Sequence, residues 1–171
     1  NTQYYQEGDK LYITGGYGLD SLKDSLVTFP TLSVIDVSSV IQAVINNTSL
    51  NPHIRQVTDE RFRVCGAGME KLGEYTYIPG GHNFWGEYTR TVNNQIYTNS
   101  LKKFKISDNG VNTTISDYSE VSDTNAFHRR DYNLVHSIKQ DGSHGMTMYG
   151  GVFKTYIDLP YLEPVYIHQS G

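Results

Sequence analysis

Two short stretches gather the side chains best suited to hold a ligand. One is a loop, residues 82–90, carrying His82, Phe84, Trp85, Glu87, Tyr88 and Arg90; the other, residues 125–132, carries His128, Arg129, Arg130, Asp131 and Tyr132. An exposed Trp flanked by Tyr, Arg and His has the composition of a binding hot spot or of an aromatic platform for a sugar ring. A packing role for Trp85, folded back over a sheet edge, is the competing reading. Arg129, Arg130 and Asp131 suit either a structural clasp of bidentate hydrogen bonds or, with one arginine turned outward, a receptor for a carboxylate or sulfate.

Templates for catalysis and metal binding are missing. The six histidines, His53, His82, His128, His136, His144 and His168, have no spacing that aims two ligands at one metal. No Gly-x-Ser-x-Gly elbow, P-loop or dinucleotide fingerprint occurs. No cofactor and no metal is therefore expected. Glu87, Asp123 and Asp131 remain as carboxylates for glycoside chemistry if the loops bring them together. Cys65, the single cysteine, has no partner for an internal disulfide, and its Cys-Gly-Ala-Gly setting reads as packing inside a sheet.

These segments need a scaffold, and the composition indicates a sheet scaffold. The chain has 171 residues, 37% hydrophobic and 19% charged, with 14 Tyr and 16 Gly among alternating Val, Ile and Thr. That pattern favours many short strands and tight turns over a helical bundle, so an all-β fold is expected. Fourteen Lys and Arg against 18 Asp and Glu give a net charge of -4 without a basic stripe, which argues against nucleic acid as a partner. No apolar run approaches the roughly 20 residues of a membrane span. A chain that starts at Asn1 without Met reads as a mature, trimmed or partial product. Glycosylation-type triplets at Asn46, Asn47 and Asn112 mark surface loops.

Three segments share one layout: an alternating strand ending in Gly-Gly, a variable loop, then a second apolar strand. The doublets are Gly15-Gly16, Gly80-Gly81 and Gly150-Gly151, with first glycines 65 and 70 residues apart. Glycine pairs at strand ends permit positive φ and close backbone approach. The strands expected around them are 2–6, 10–14, 32–37 and 54–58; then 61–67, 74–78, 99–106 and 111–118, with 107–110 as a hairpin turn; then 131–138, 146–149 and 164–167. Val37, Val40, Ile41, Val44 and Ile45, behind Asp36 and Ser38, predict a short amphipathic helix packed on the core.

This layout resembles the kelch repeat, with Tyr97 and Phe104 nearest to its third-strand aromatic and with no Trp at the usual position. It is most similar to long-repeat exported bacterial kelch proteins, through the Thr-Gly-Gly-Tyr-Gly of residues 14–18 and the His-Arg-Arg-Asp-Tyr-Asn of residues 128–133. The resemblance implies a β-propeller stretch of about three four-stranded blades, 1–60, 61–124 and 125–171, the last lacking its outer strand. Propellers typically use four to eight blades, so the other blades are expected from a longer chain or from other subunits. It also implies an extracellular or cell-surface binding module whose partner is a protein or a glycan. A propeller enzyme acting on carbohydrate, by glycoside chemistry or by a copper centre built on Cys65 and Tyr, and a structural part of a surface assembly are the other readings.

Overall fold

The structure, a computed structural model, describes residues 2–89 and 94–169. Numbered in chain order, β1 (Gln3–Glu7) and β2 (Lys10–Thr14) form a tight hairpin around Gly8. A side hairpin of β3 (Tyr17–Asp20) and β4 (Ser25–Thr28) follows, before β5 (Thr31–Asp36) returns to pair with β2. Helix α1 (Val37–Ile45) leads by a 3₁₀ turn to β6 (Ile54–Thr58), which completes an antiparallel sheet in the order β1-β2-β5-β6.

A 3₁₀ turn at Glu60–Phe62 precedes the second sheet. Its strands are β7 (Glu70–Leu72) and β8 (Tyr75–Pro79), then, after the side pair β9 (His82–Phe84) and β10 (Gln95–Tyr97), β11 (Ser100–Asp108) and β12 (Thr113–Ser122). Its order is β12-β11-β8-β7. Helix α2 (Thr124–Phe127) leads to a three-stranded sheet of β13 (Arg130–Ile138), β14 (His144–Val152) and β15 (Val165–His168). The protein is thus mostly β, as expected, and no described helix is long and apolar enough to cross a membrane.

Two apolar layers join the three sheets. Tyr5, Tyr12, Leu32 and Val34 of the first sheet pack with Phe62, Val64, Met69, Ile78 and Phe104. Leu72, Tyr77 and Leu101 of the second pack with Phe127, Met146, Met148 and Ile167. Alternation along each strand sends successive residues to opposite faces. Tyr12 and Tyr77, each three residues before a doublet, therefore face the following sheet, while Ile78 and Met148, each two before, face the preceding one. A charged clasp reinforces the first layer: Arg55 and Lys10 both bond Asp36 and Asp108, and the Asp108 side chain is only 1% exposed.

The first two doublets turn the chain out of a strand, whereas Gly150 and Gly151 lie inside β14, against the expectation of a strand ending there. All six glycines have positive φ, from 58° to 93°. The first amide of a doublet bonds the chain at the start of the third strand, Gly15 to the Thr31 carbonyl and Gly80 to that of Ser100, both at 2.8 Å. The second reaches forward to the segment leading into the next sheet, Gly16 to Val64 at 3.0 Å and Gly81 to Arg129 at 2.9 Å.

Several expectations need correction. Residues 61–67 are not a strand: Asp59 caps a 3₁₀ turn there through the Arg61 amide, and Gly66 adopts a φ of 66°, so the first strand of the second sheet is β7. Helix α1 exists where the spacing predicts it, but it does not pack on the core. Only Ala43 is buried, and Ile41, Val44 and Ile45 are exposed. Its first turn is capped by Asp9 rather than by Asp36, through the amide and hydroxyl of Ser38. The hairpin turn of the second sheet sits at 109–112, where the Asn109 side chain accepts from the Val111 and Asn112 amides.

Candidate binding recess

The residue directly after the first two doublets points to one place. Tyr17 follows Gly16 and His82 follows Gly81, and both line a recess of about 160 Å³ with Cys65, Phe84, Tyr88 and Arg130. The recess is where connecting loops of adjacent sheets meet. Cys65 and His82 exchange backbone hydrogen bonds at 2.8 and 3.0 Å, while Val27 bridges Trp85 and the Gly86 amide donates to the Leu26 carbonyl. The Tyr17 hydroxyl donates to the Gly86 carbonyl at 2.5 Å, tying the side hairpin of the first sheet to the long loop of the second.

Aromatic rings make the walls. Phe84 is buried edge-on to Tyr17, with centroids 5.1 Å apart, and Tyr88 leans on it at 5.6 Å while staying 70% exposed. Behind them Tyr97 stacks on His128 at 3.9 Å and lies 5.7 Å from His82. The His82 Nδ1 bonds the Gln95 amide oxygen at 2.9 Å, and the His128 Nδ1 bonds that of Asn99 at 2.7 Å. Burial, then the nearby Arg130 charge, holds the His82 imidazole below its usual range; burial alone does the same for His128.

Arg130 supplies the charge. Its Nε donates to the Tyr97 hydroxyl at 3.3 Å, its Nη1 lies 3.3 Å from the Asp131 carboxylate, and its guanidinium sits 5.1 Å from the Phe153 ring centre. Asp131 adopts a φ of 55°, matching the left-handed Gly66 one sheet earlier, and its amide donates to the Gly66 carbonyl at 2.8 Å. A short polar residue tolerates this left-handed conformation better than most.

The expected site residues separate into two groups. His82, Phe84, Tyr88, His128, Arg130 and Asp131 line the recess or adjoin it. Trp85 is 39% exposed beside the recess without lining it, and Arg90 lies outside the described residues. Arg129 and Tyr132 instead hold the scaffold. Arg129 bonds the carbonyls of Gly150 and Glu163, and the Tyr132 hydroxyl donates to the Pro79 carbonyl while accepting from the Gly68 amide at 2.7 Å. The three carboxylates have separate tasks: Asp123 caps α2, Asp131 pairs with Arg130, and Glu87 is exposed.

Tyr17 and Gln95 escaped the reading by residue type, although the position of Tyr17 after a doublet, the same as that of His82, was visible in the sequence. Cys65 is buried as expected, its thiol held up by burial and bonded to the Thr28 hydroxyl at 3.4 Å. Among the described residues no cluster of His, Cys, Asp and Glu could hold a metal ion. Neither a scan against protein-family models nor a search of curated proteins finds a match for the chain.

Proposed function

We propose that the chain is a three-blade stretch of a kelch-type β-propeller, exported to the cell surface or beyond, and that its loop face is a non-catalytic binding surface for a glycan or protein. The observation that carries the binding reading is the recess itself: among the described residues one guanidinium is set among Tyr17, Phe84, Tyr88 and the Tyr97–His128 stack, and no carboxylate lines it. Ligand pockets for free small molecules run to about 300–1,000 Å³. A recess of about 160 Å³ instead suits one ring or side chain presented by a larger partner. Aromatic faces with a single arginine serve a terminal sugar well, since stacking gives area and the guanidinium gives direction.

The propeller reading draws support from the third doublet. A Cβ on Gly15 would lie 1.8 Å from the Val64 carbonyl oxygen, and one on Gly80 would lie 2.7 Å from that of Arg129, because the next sheet's leading segment is seated there. Gly150 keeps the same left-handed conformation, at a φ of 71°, yet faces open space. Tyr149, Val135 and Tyr166 are exposed on the same sheet. A following blade, from a longer chain or another subunit, fits that position.

Screening the chain against a glycan array and a panel of extracellular proteins tests the binding reading. A ligand held by the native chain and lost on Arg130→Met and Tyr88→Ala is the expected result. A ligand indifferent to both substitutions would sink the assignment to this recess.

A further inference from the structure

Arg129 and Arg130 are neighbours on the chain and serve different cavities. Where Arg130 enters the recess, Arg129 lines an open cavity of about 440 Å³ with Asn125, Lys154, Tyr156, Tyr161 and Glu163. The 153–163 connection between β14 and β15 builds most of this cavity, held in place by the Tyr161 amide on the Gly151 carbonyl and the Tyr161 hydroxyl on that of His128.

Arg129 is 2% exposed, and no carboxylate pairs with it among the described residues. Its Nη1 donates to two carbonyls at 3.1 Å, those of Gly150 and Glu163, and its guanidinium carbon stands 3.8 Å from the centre of the Tyr161 ring. Its Nε is buried and makes no hydrogen bond. A buried cation without a counter-ion, with a donor left unpaired, is costly unless something supplies the missing acceptor. Burial also lowers the guanidinium from its ordinary range. Both carbonyl bonds use Nη1, which leaves the Nε donor for an oxyanion.

Charge at the rim agrees. Lys154 lies 5.6 Å from the Tyr161 ring centre and 3.4 Å from the Glu163 carboxylate, whereas Arg129 bonds only the Glu163 backbone carbonyl. Tyr156 stands 97% exposed at the mouth. We propose that this cavity is a second binding site, independent of the recess, for a ligand bearing a carboxylate or sulfate group, seated on the Nε side of Arg129 with Lys154 at the rim.

The test is a titration of the full chain with acetate, glucuronate and sulfate, reading the Arg129 Nε–Hε resonance by NMR and the affinity by calorimetry. Equal ionic strength of chloride is the reference. The site predicts a saturable shift of that resonance, weakened up to about fivefold by Lys154→Met, the scale of a part-exposed charge pair. Arg130→Met should leave the shift intact, which separates this site from the recess. A stronger response to glucuronate than to sulfate assigns an acidic sugar, and the reverse assigns a sulfated one. No saturable shift with any of the three anions, or affinities unchanged by both Lys154→Met and Arg129→Lys, would overturn the proposal.

Discussion

The Gly81 amide donates to the Arg129 carbonyl across 2.9 Å, and one repeat earlier the Gly16 amide makes the same bond to Val64 at 3.0 Å. Each of these two doublets thereby does two things at once. It turns the chain out of the second strand of its own sheet, and it fastens that sheet to the segment leading into the next. Val64 and Arg129 are equivalent in this joint, as are Cys65 and Arg130, and Gly66 and Asp131 share its left-handed conformation. The residues of the recess are thus the variable faces of a repeated joint, which explains how loops far apart in sequence come to one place.

The joint makes the doublets unequal in a measurable way. Gly15→Ala must place a Cβ within 1.8 Å of a backbone oxygen at a φ of 58°, so the two sheets have to part. A loss above about 3 kcal/mol, among the larger single-site effects, is expected in urea unfolding. Gly150→Ala meets nothing within 4 Å and bears only the left-handed strain, about 1 kcal/mol. Equal losses at the two positions would show that the joint contributes nothing beyond backbone conformation.

Asp108 should govern acid stability. Burial opposes its ionisation, but hydrogen bonds from Arg55 and Lys10 outweigh that cost and hold the carboxyl well below the usual range. The unfolded carboxyl titrates near about 3.9. Because the folded value is lower, its stabilisation is fully present above that pH and is lost as pH falls through the folded value. Asp108→Asn leaves Arg55 buried beside Asp36 alone, for a loss of about 3 kcal/mol at pH 7. Its stability curve should then be flatter than the native one below about pH 4. Parallel curves would place the acid sensitivity elsewhere.

Much of the architecture was legible because two signals, period-2 alternation and Gly-Gly, act locally. β2 and β6 occupy the strands expected at 10–14 and 54–58, and β13, β14 and β15 lie within two or three residues of theirs. The failures are also local. Residues 61–67 alternate like a strand, yet the Asp59 cap and the left-handed Gly66 turn them into a lead-in segment. Helix α1 has the right spacing and still exposes its apolar stripe, because periodicity records which residues share a face and not whether anything covers it. The split between Arg129 and Arg130 was out of reach, since the partners that separate them, the Gly150 and Glu163 carbonyls for Arg129 and Tyr97 for Arg130, come from distant parts of the chain.

Tyr88 offers the cleanest separation of binding from folding. Its ring is 70% exposed, leans on Phe84 and shares a side-chain hydrogen bond with Arg130. Tyr88→Ala should change unfolding free energy by no more than about 0.5 kcal/mol. Any ligand of the recess should weaken by 1 kcal/mol or more, the usual threshold for an aromatic contact that matters, roughly fivefold in Kd. Loss of fold along with binding would mean that Tyr88 is a packing residue instead.

His82 reports directly on the charge in the recess. Burial first, and the Arg130 guanidinium second, disfavour its imidazolium, while the Gln95 hydrogen bond partly offsets them. Its NMR titration midpoint should therefore fall below the unfolded value of about 6.5, and Arg130→Met should move it upward by removing the like charge. Linkage carries the same sign into stability. The neutral ring is the one folding favours, so its contribution is full above about pH 6.5 and is lost as pH falls through the folded midpoint. In Arg130→Met that acid loss should shrink, because less separates the folded and unfolded midpoints. A midpoint unmoved by Arg130→Met would place the guanidinium away from the imidazole in solution and with it dissolve the recess as one electrostatic unit.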